Sequence, residues 1–86
     1  MEIKAKIIDP IGLHARPAAQ IVTVASKFES DIKLIHDGRE ANLKSIMSIM
    51  ALGIKSGEEI RITAEGKDSA DAITEIEAAM KQNELI

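Results

Sequence analysis

Gly12-Leu13-His14-Ala15-Arg16-Pro17-Ala18 sets an imidazole two residues ahead of a guanidinium and three ahead of a proline. Proline suits the first turn of a helix, where the missing N–H costs no hydrogen bond. His14 is therefore expected at a helix N-terminus, against backbone amides that no carbonyl within the helix can satisfy. Those amides and the positive end of the helix dipole attract an anion and disfavour an imidazolium, which keeps a ring nitrogen neutral and nucleophilic near neutral pH. The chemistry that fits is acceptance of a phosphoryl group on the ring, with the same donors holding the phosphate oxygens. Arg16 adds a bidentate fork for those oxygens and offsets the charge that develops during in-line transfer. Gly12 lets the backbone turn closely about the phosphate, and the small Ala15 and Ala18 keep the approach open. A loop histidine near a surface arginine, followed by an ordinary proline start, is the commoner arrangement, and residue types alone do not separate the two.

The elements around this heptapeptide follow from hydrophobic period. Ile3, Ala5 and Ile7 alternate with Glu2, Lys4 and Lys6, which predicts a half-buried strand over Glu2–Ile8 that Asp9-Pro10 and Gly12 break. From Pro17 the period becomes helical: Ala18, Ile21, Val22, Ala25 and Phe28 share an inward face, with Gln20, Thr23 and Lys27 outside. Ile32 and Leu34 begin a hairpin whose turn is Asp37-Gly38 and whose return strand runs Arg39–Leu43. Ser45 heads a short apolar helix that Gly53 ends. Ile60, Ile62 and Ala64 mark a fourth strand, and Asp68 is the expected N-cap of a last helix with Ala72, Ile73, Ile76 and Met80 inward. The order βαββαβα predicts an α/β (α+β) two-layer sandwich, a four-stranded sheet covered on one face by helices. A ferredoxin-like chain has nearly this order, so topology leaves function open.

The 86 residues suffice for one domain, 1–86, and for one core, which places any chemistry at the surface. There is no cysteine, and two histidines offer too few ligands for a metal module, so no metal or cofactor is expected. No segment approaches the roughly 20 apolar residues of a membrane span, and no leader pattern opens the chain, so a cytoplasmic protein without membrane insertion is expected. A net charge of −3 and a single aromatic, Phe28, argue against nucleic acid as the main partner.

Gly12–Ala18 placed between a strand and an Ala-rich helix closely resembles HPr, the histidine phosphocarrier family of the bacterial phosphoenolpyruvate-dependent sugar phosphotransferase system. The resemblance extends to Ala25-Ser26-Lys27-Phe28, the Asp-Gly hairpin, Asn42-Leu43-Lys44-Ser45-Ile46-Met47, Leu52-Gly53 and the last helix, so it spans essentially the whole chain. It implies an open-faced β-sandwich with an antiparallel sheet in the order 1-4-2-3. It further implies phosphorylation of His14 on Nδ1 by enzyme I, a phosphate-stabilising role for Arg16, and transfer to the A components of sugar permeases by a monomeric carrier that is not itself an enzyme.

Ser45 reads first as an N-cap. The surrounding wording resembles the low-GC Gram-positive form of the family, in which the ATP-dependent HPr kinase/phosphorylase modifies this serine to regulate carbon use. A dianion there suits the helix terminus and repels an acidic partner. Ile46, Met47 and Met50 are expected to face out, because a short helix cannot bury them together with Ile49 and Leu52, and an adaptable apolar patch suits weak docking of several partners. Gln20, Thr23 and Lys27 extend that patch. Ser48 stands where Gram-positive members often carry glycine, which bears on partner choice. His36, beside the hairpin turn, is expected in solvent without a chemical role. The competing reading is a regulatory binding module that works through Ser45 and the patch. Regulators of that kind lack the active histidine, whereas His14 is present here.

Overall fold

Alternation at the start of the chain yields a strand over Glu2–Lys6 (β1), with Ile3 and Ala5 half-buried between exposed charged residues. The computed structural model describes residues 1–86. It continues through α1 (Ala15–Ala25), β2 (Asp31–His36), β3 (Arg39–Asn42), α2 (Ile46–Met50), β4 (Glu59–Glu65) and α3 (Ser69–Gln82). The strands form one antiparallel sheet in the order β1-β4-β2-β3. Ile32, Leu34, Ile60, Ile62 and Ala64 point from the sheet into one buried cluster with Ile21 of α1, Ile49 of α2 and Ile73, Ile76 and Met80 of α3. Residues that alternate with them, such as Lys33 and Arg61, remain exposed on the open face. Burying a side chain of this size contributes about 1.5–3 kcal/mol, and this single layer of aliphatic contacts holds the helices to the sheet.

The hairpin forms as its sequence requires. Asp37 (φ 51°) and Gly38 (φ 77°) are both left-handed, the conformation of a type I′ turn, and His36 pairs with Arg39 across it.

The elements differ from expectation at several ends. β1 stops at Lys6, two residues early, because Ile7 leaves the strand pairing to bond the turn before β4: its N–H donates to Glu58 O (2.9 Å) and its carbonyl accepts Gly57 N–H (2.7 Å). Ile8 then turns to Leu85 O (2.8 Å) and leaves its side chain exposed. Phe28 lies beyond the end of α1 at Ala25, in the following turn, where it is half-buried against the core. Helical pairing in α2 ends at Met50, and tighter bonds from Leu52 N–H to Ile49 O (3.1 Å) and Gly53 N–H to Met50 O (3.2 Å) finish the turn.

Asp68 precedes α3 but does not cap it through its side chain. Its carboxylate accepts the backbone N–H of Glu29 (2.8 Å) and of Ser30 (3.0 Å), together with the Ser30 hydroxyl. Ser30 is buried, and a buried hydroxyl without a partner is costly, which draws the carboxylate across to the α1–β2 turn. The Ser30 hydroxyl, then the Glu29 N–H, hold the Asp68 carboxyl below the usual carboxylate range.

Candidate functional site

The chain reaches the imidazole through a tightly bonded loop. Asp9 accepts Ile11 N–H on Oδ1 (2.9 Å) and Gly12 N–H on its carbonyl (2.9 Å), so Pro10 sits inside an Asx-type turn. Gly12 follows in a left-handed conformation (φ 90°), buried so closely that a Cβ would stand 2.6 Å from Ile54 O. Leu13 N–H donates to the same carbonyl at 3.0 Å, and the Leu13 side chain enters the core. Backbone pairing therefore fixes the loop on the α2–β4 connection just before His14. His14 itself is extended (φ −91°, ψ −179°), and its carbonyl accepts Ala18 N–H at 3.1 Å to begin α1.

The His14 ring lies at this junction with Nε2 3.2 Å from Asp9 Oδ2. A carboxylate can only accept, so this contact puts the proton of the neutral ring on Nε2 and leaves the lone pair on Nδ1. The Asp9 carboxyl is held below the usual carboxylate range, first by the Ile11 N–H and, against partial desolvation, by His14. Ala15 and Arg16 present amides at the start of α1 that the helix leaves unpaired, while Pro17 has none to offer. The Arg16 side chain is exposed and takes part in none of the ion pairs of the protein. An open depression of about 270 Å³ is lined by Asp9, Ile11, His14, Arg16, Pro17 and Asn83. It combines an oriented ring nitrogen, an unpaired guanidinium and free amides, a set able to hold a transferable anion.

Several residues singled out from the sequence occupy other places than expected. Ala18 does not line the approach to His14; it is fully buried (0% exposed) and packs with Leu13 and Ile21 against the sheet. At Gly12 a Cβ would also collide with the Ile54 carbonyl, so packing requires glycine there. Ala15 is exposed, and Pro17 is buried along the wall of the depression. Three lining residues were not foreseen: Asp9, Ile11 and Asn83. Asp9, five residues earlier in the chain, is carried to His14 by the fold of the turn around Pro10. Ile11, 73% exposed, is an apolar residue that only the geometry of that turn could place at the rim.

Ser45 Oγ accepts Ser48 N–H at 3.2 Å and so caps α2. Ile46, Met47 and Met50 are exposed, Met47 to 84%, whereas Ile49 and Leu52 are buried. α2 packs beside α1, on which Gln20 and Thr23 are exposed, as is Lys27 just beyond its end. His36 departs from its expected solvent position: its side chain is only 12% exposed, and both ring nitrogens face acceptors.

An open-faced βαββαβα sandwich that holds an imidazole in a surface depression is the architecture of a phosphocarrier rather than of an enzyme that encloses its substrate. A sequence model described as the PTS HPr component phosphorylation site matches residues 1–82. The chain belongs to the HPr phosphocarrier family. It is similar to the histidine-containing phosphocarrier protein of Mycoplasma, at 46% identity and a TM-score of 0.99 over 100% of this chain and 98% of that one. The HPr of Bacillus anthracis is 40% identical with a TM-score of 0.84, covering 92% of this chain and 94% of its own. Crh of Bacillus subtilis, described as a catabolite repression protein and a domain-swapped dimer, is 38% identical with a TM-score of 0.75, over 95% of this chain and 93% of that one. The family membership implies partners within the phosphotransferase system, and no helix of the protein is long and apolar enough to cross a membrane.

Proposed function

We propose that His14 accepts a phosphoryl group on Nδ1 from phosphorylated enzyme I and passes it to the A components of sugar permeases. The observation that carries this reading is the Asp9 contact at Nε2, 3.2 Å long, which orients the ring and leaves the Nδ1 lone pair as the nucleophile. The lone pair forms the new N–P bond as the bond to the donor breaks in line, and the Nε2 proton stays on the ring, where Asp9 balances the charge that develops. Arg16 and the amides of Ala15 and Arg16 hold the phosphoryl oxygens on arrival and departure alike. The exposed Ile46, Met47 and Met50, with Gln20, Thr23 and Lys27, form the docking face. The chain acts as a one-domain cytoplasmic monomer, so that this face meets successive partners.

Ser45 is the control on the exchange. Its modification by an HPr kinase/phosphorylase places a dianion at the start of α2, beside the docking residues, where it repels an acidic partner while suiting the helix terminus. Incubation with phosphoenolpyruvate and enzyme I is expected to yield an acid-labile phosphate that mass spectrometry of the intact protein maps to His14. Replacement His14→Ala abolishes acceptance with the fold retained. Normal transfer by that variant would sink the assignment. Treatment with ATP and the serine kinase tests Ser45 in the same way.

A further inference from the structure

The second histidine occupies a place that the reaction described above does not use. His36 ends the buried face of β2, on the same side as Ile32 and Leu34, and its ring meets the connection between α2 and β4. Nδ1 lies 3.3 Å from Glu59 O, which only accepts. Nε2 lies 3.3 Å from Glu58 Oε2. A neutral ring has one N–H for these two acceptors and leaves a lone pair against the other; only a second proton lets it donate to both and makes the Glu58 contact an ion pair. The other charged groups around the ring do not supply that proton's partner. Arg39, its cross-strand neighbour on β3, sends its guanidinium to Ala51 O at 3.1 Å. Asp37 in the turn is exposed, as are Glu59, which offers the ring its carbonyl, and Lys6, opposite Glu59 on β1.

Glu58 is bonded onward. Its Oε1 accepts Lys55 N–H at 2.6 Å, and its own N–H donates to Lys55 O at 3.2 Å, closing the turn that displays Ile54 O. That carbonyl receives Leu13 N–H at 3.0 Å and is the surface against which Gly12 packs. A continuous path of bonded groups therefore joins the His36 ring to the residue just before His14.

We infer that His36, in its imidazolium form, is a positioning residue for His14 that acts through Glu58 and the 54–58 turn. Protonation tightens the hold of Glu58 on the hairpin end and, with it, the seat of Gly12 and Leu13. The coupling exists whether or not His14 carries phosphate; its effect on transfer rests on the function proposed above. An ion pair of this exposure changes an equilibrium by about two- to fivefold. At pH values where His36 is charged, the wild-type rate of phosphoryl acceptance should therefore exceed that of His36→Gln by about two- to fivefold, and the profiles should merge where His36 is neutral.

The deciding experiment is an NMR titration of the ¹⁵N-labelled full chain over roughly pH 5 to 8, reading the Leu13 amide together with both imidazole C–H signals. The Leu13 amide is expected to show an inflection at the midpoint of the His36 ring. That inflection should persist in His14→Ala and disappear in Glu58→Gln, which retains an acceptor for Lys55 N–H but not the charge. Absence of the inflection in the wild type, or its survival in Glu58→Gln, overturns the proposal, as do coincident pH–rate profiles for wild type and His36→Gln. If His36→Gln loses amide dispersion, the Glu58→Gln titration and its rate profile decide. A wild-type chain that takes up no phosphoryl group would refute the carrier reading, and the Leu13 titration would still judge the coupling.

Discussion

Asp9 and Asp68 stand ahead of α1 and α3, each accepts backbone N–H groups, and each is held below the usual carboxylate range, yet they serve opposite ends. Asp68 directs its oxygens to Ser30 and Glu29, fastening the α1–β2 turn to the start of α3. Asp9 gives one oxygen to the Ile11 N–H and the other to the His14 ring. The first is a closed joint in which the carboxylate binds backbone and a buried hydroxyl. The second leaves its partner's other nitrogen free for chemistry. A depressed carboxylate therefore does not by itself mark a functional site; what distinguishes the two is whether the partner has a reactive atom to spare.

The contrast makes changes near α1 effects on rate and changes near α3 effects on stability. After the loss of acceptance in His14→Ala, the largest effect is expected from Arg16→Ala, which should slow phosphoryl transfer in rapid-quench measurements by about 100- to 1,000-fold while the exposed position leaves thermal unfolding unchanged. Asp9→Asn should follow with a loss of about 10- to 100-fold, because the amide can present a donor to Nε2 and favour the wrong tautomer. Wild-type rates in that variant would erase the distinction between the two aspartates. Ser30→Ala should lower stability in urea titrations by about 1 kcal/mol and leave transfer within about twofold.

The finest test is acid unfolding. Both folded-state carboxyls titrate below the ordinary aspartate value of about 3.9. Their stabilisation is thus present above that value and lost as pH falls through the lowered folded-state values. Thermal melts at descending pH should steepen below about 4 in the wild type. Asp68→Asn should flatten that slope, and Asp9→Asn should do so less, since its oxygens serve fewer backbone groups.

Local pattern was enough to find the strands, the type I′ hairpin, the three helices and the exposure of Met47, because period and turn chemistry act over a few residues. The placement of His14 and Arg16 at one helix end was legible for the same reason, since they lie two residues apart just before Pro17. Asp9 was hidden because its meeting with His14 depends on the fold of the Pro10 turn, not on any spacing rule. Asp68 looked like a cap since Asp before a helix usually is one, and only the long-range position of Ser30 redirected it. Ala18 looked like an opening because a small residue reads alike whether it faces solvent or a sheet. His36 was misplaced for want of the α2–β4 turn, which arrives from some twenty residues later in the chain.

The bond from Ile8 N–H to Leu85 O, 2.8 Å long, has a consequence for how the protein comes into being. The residues around His14 precede in the chain the groups that support them, which include Ile54, Glu58 and finally Leu85. β1 also finds its sheet neighbour only in β4, more than fifty residues away. The hairpin of β2 and β3 can close on a nascent chain, whereas the histidine loop lacks its long-range bonds until the segment through Leu85 has left the ribosome. The His14 loop is therefore completed after the hairpin, once Leu85 has reached it.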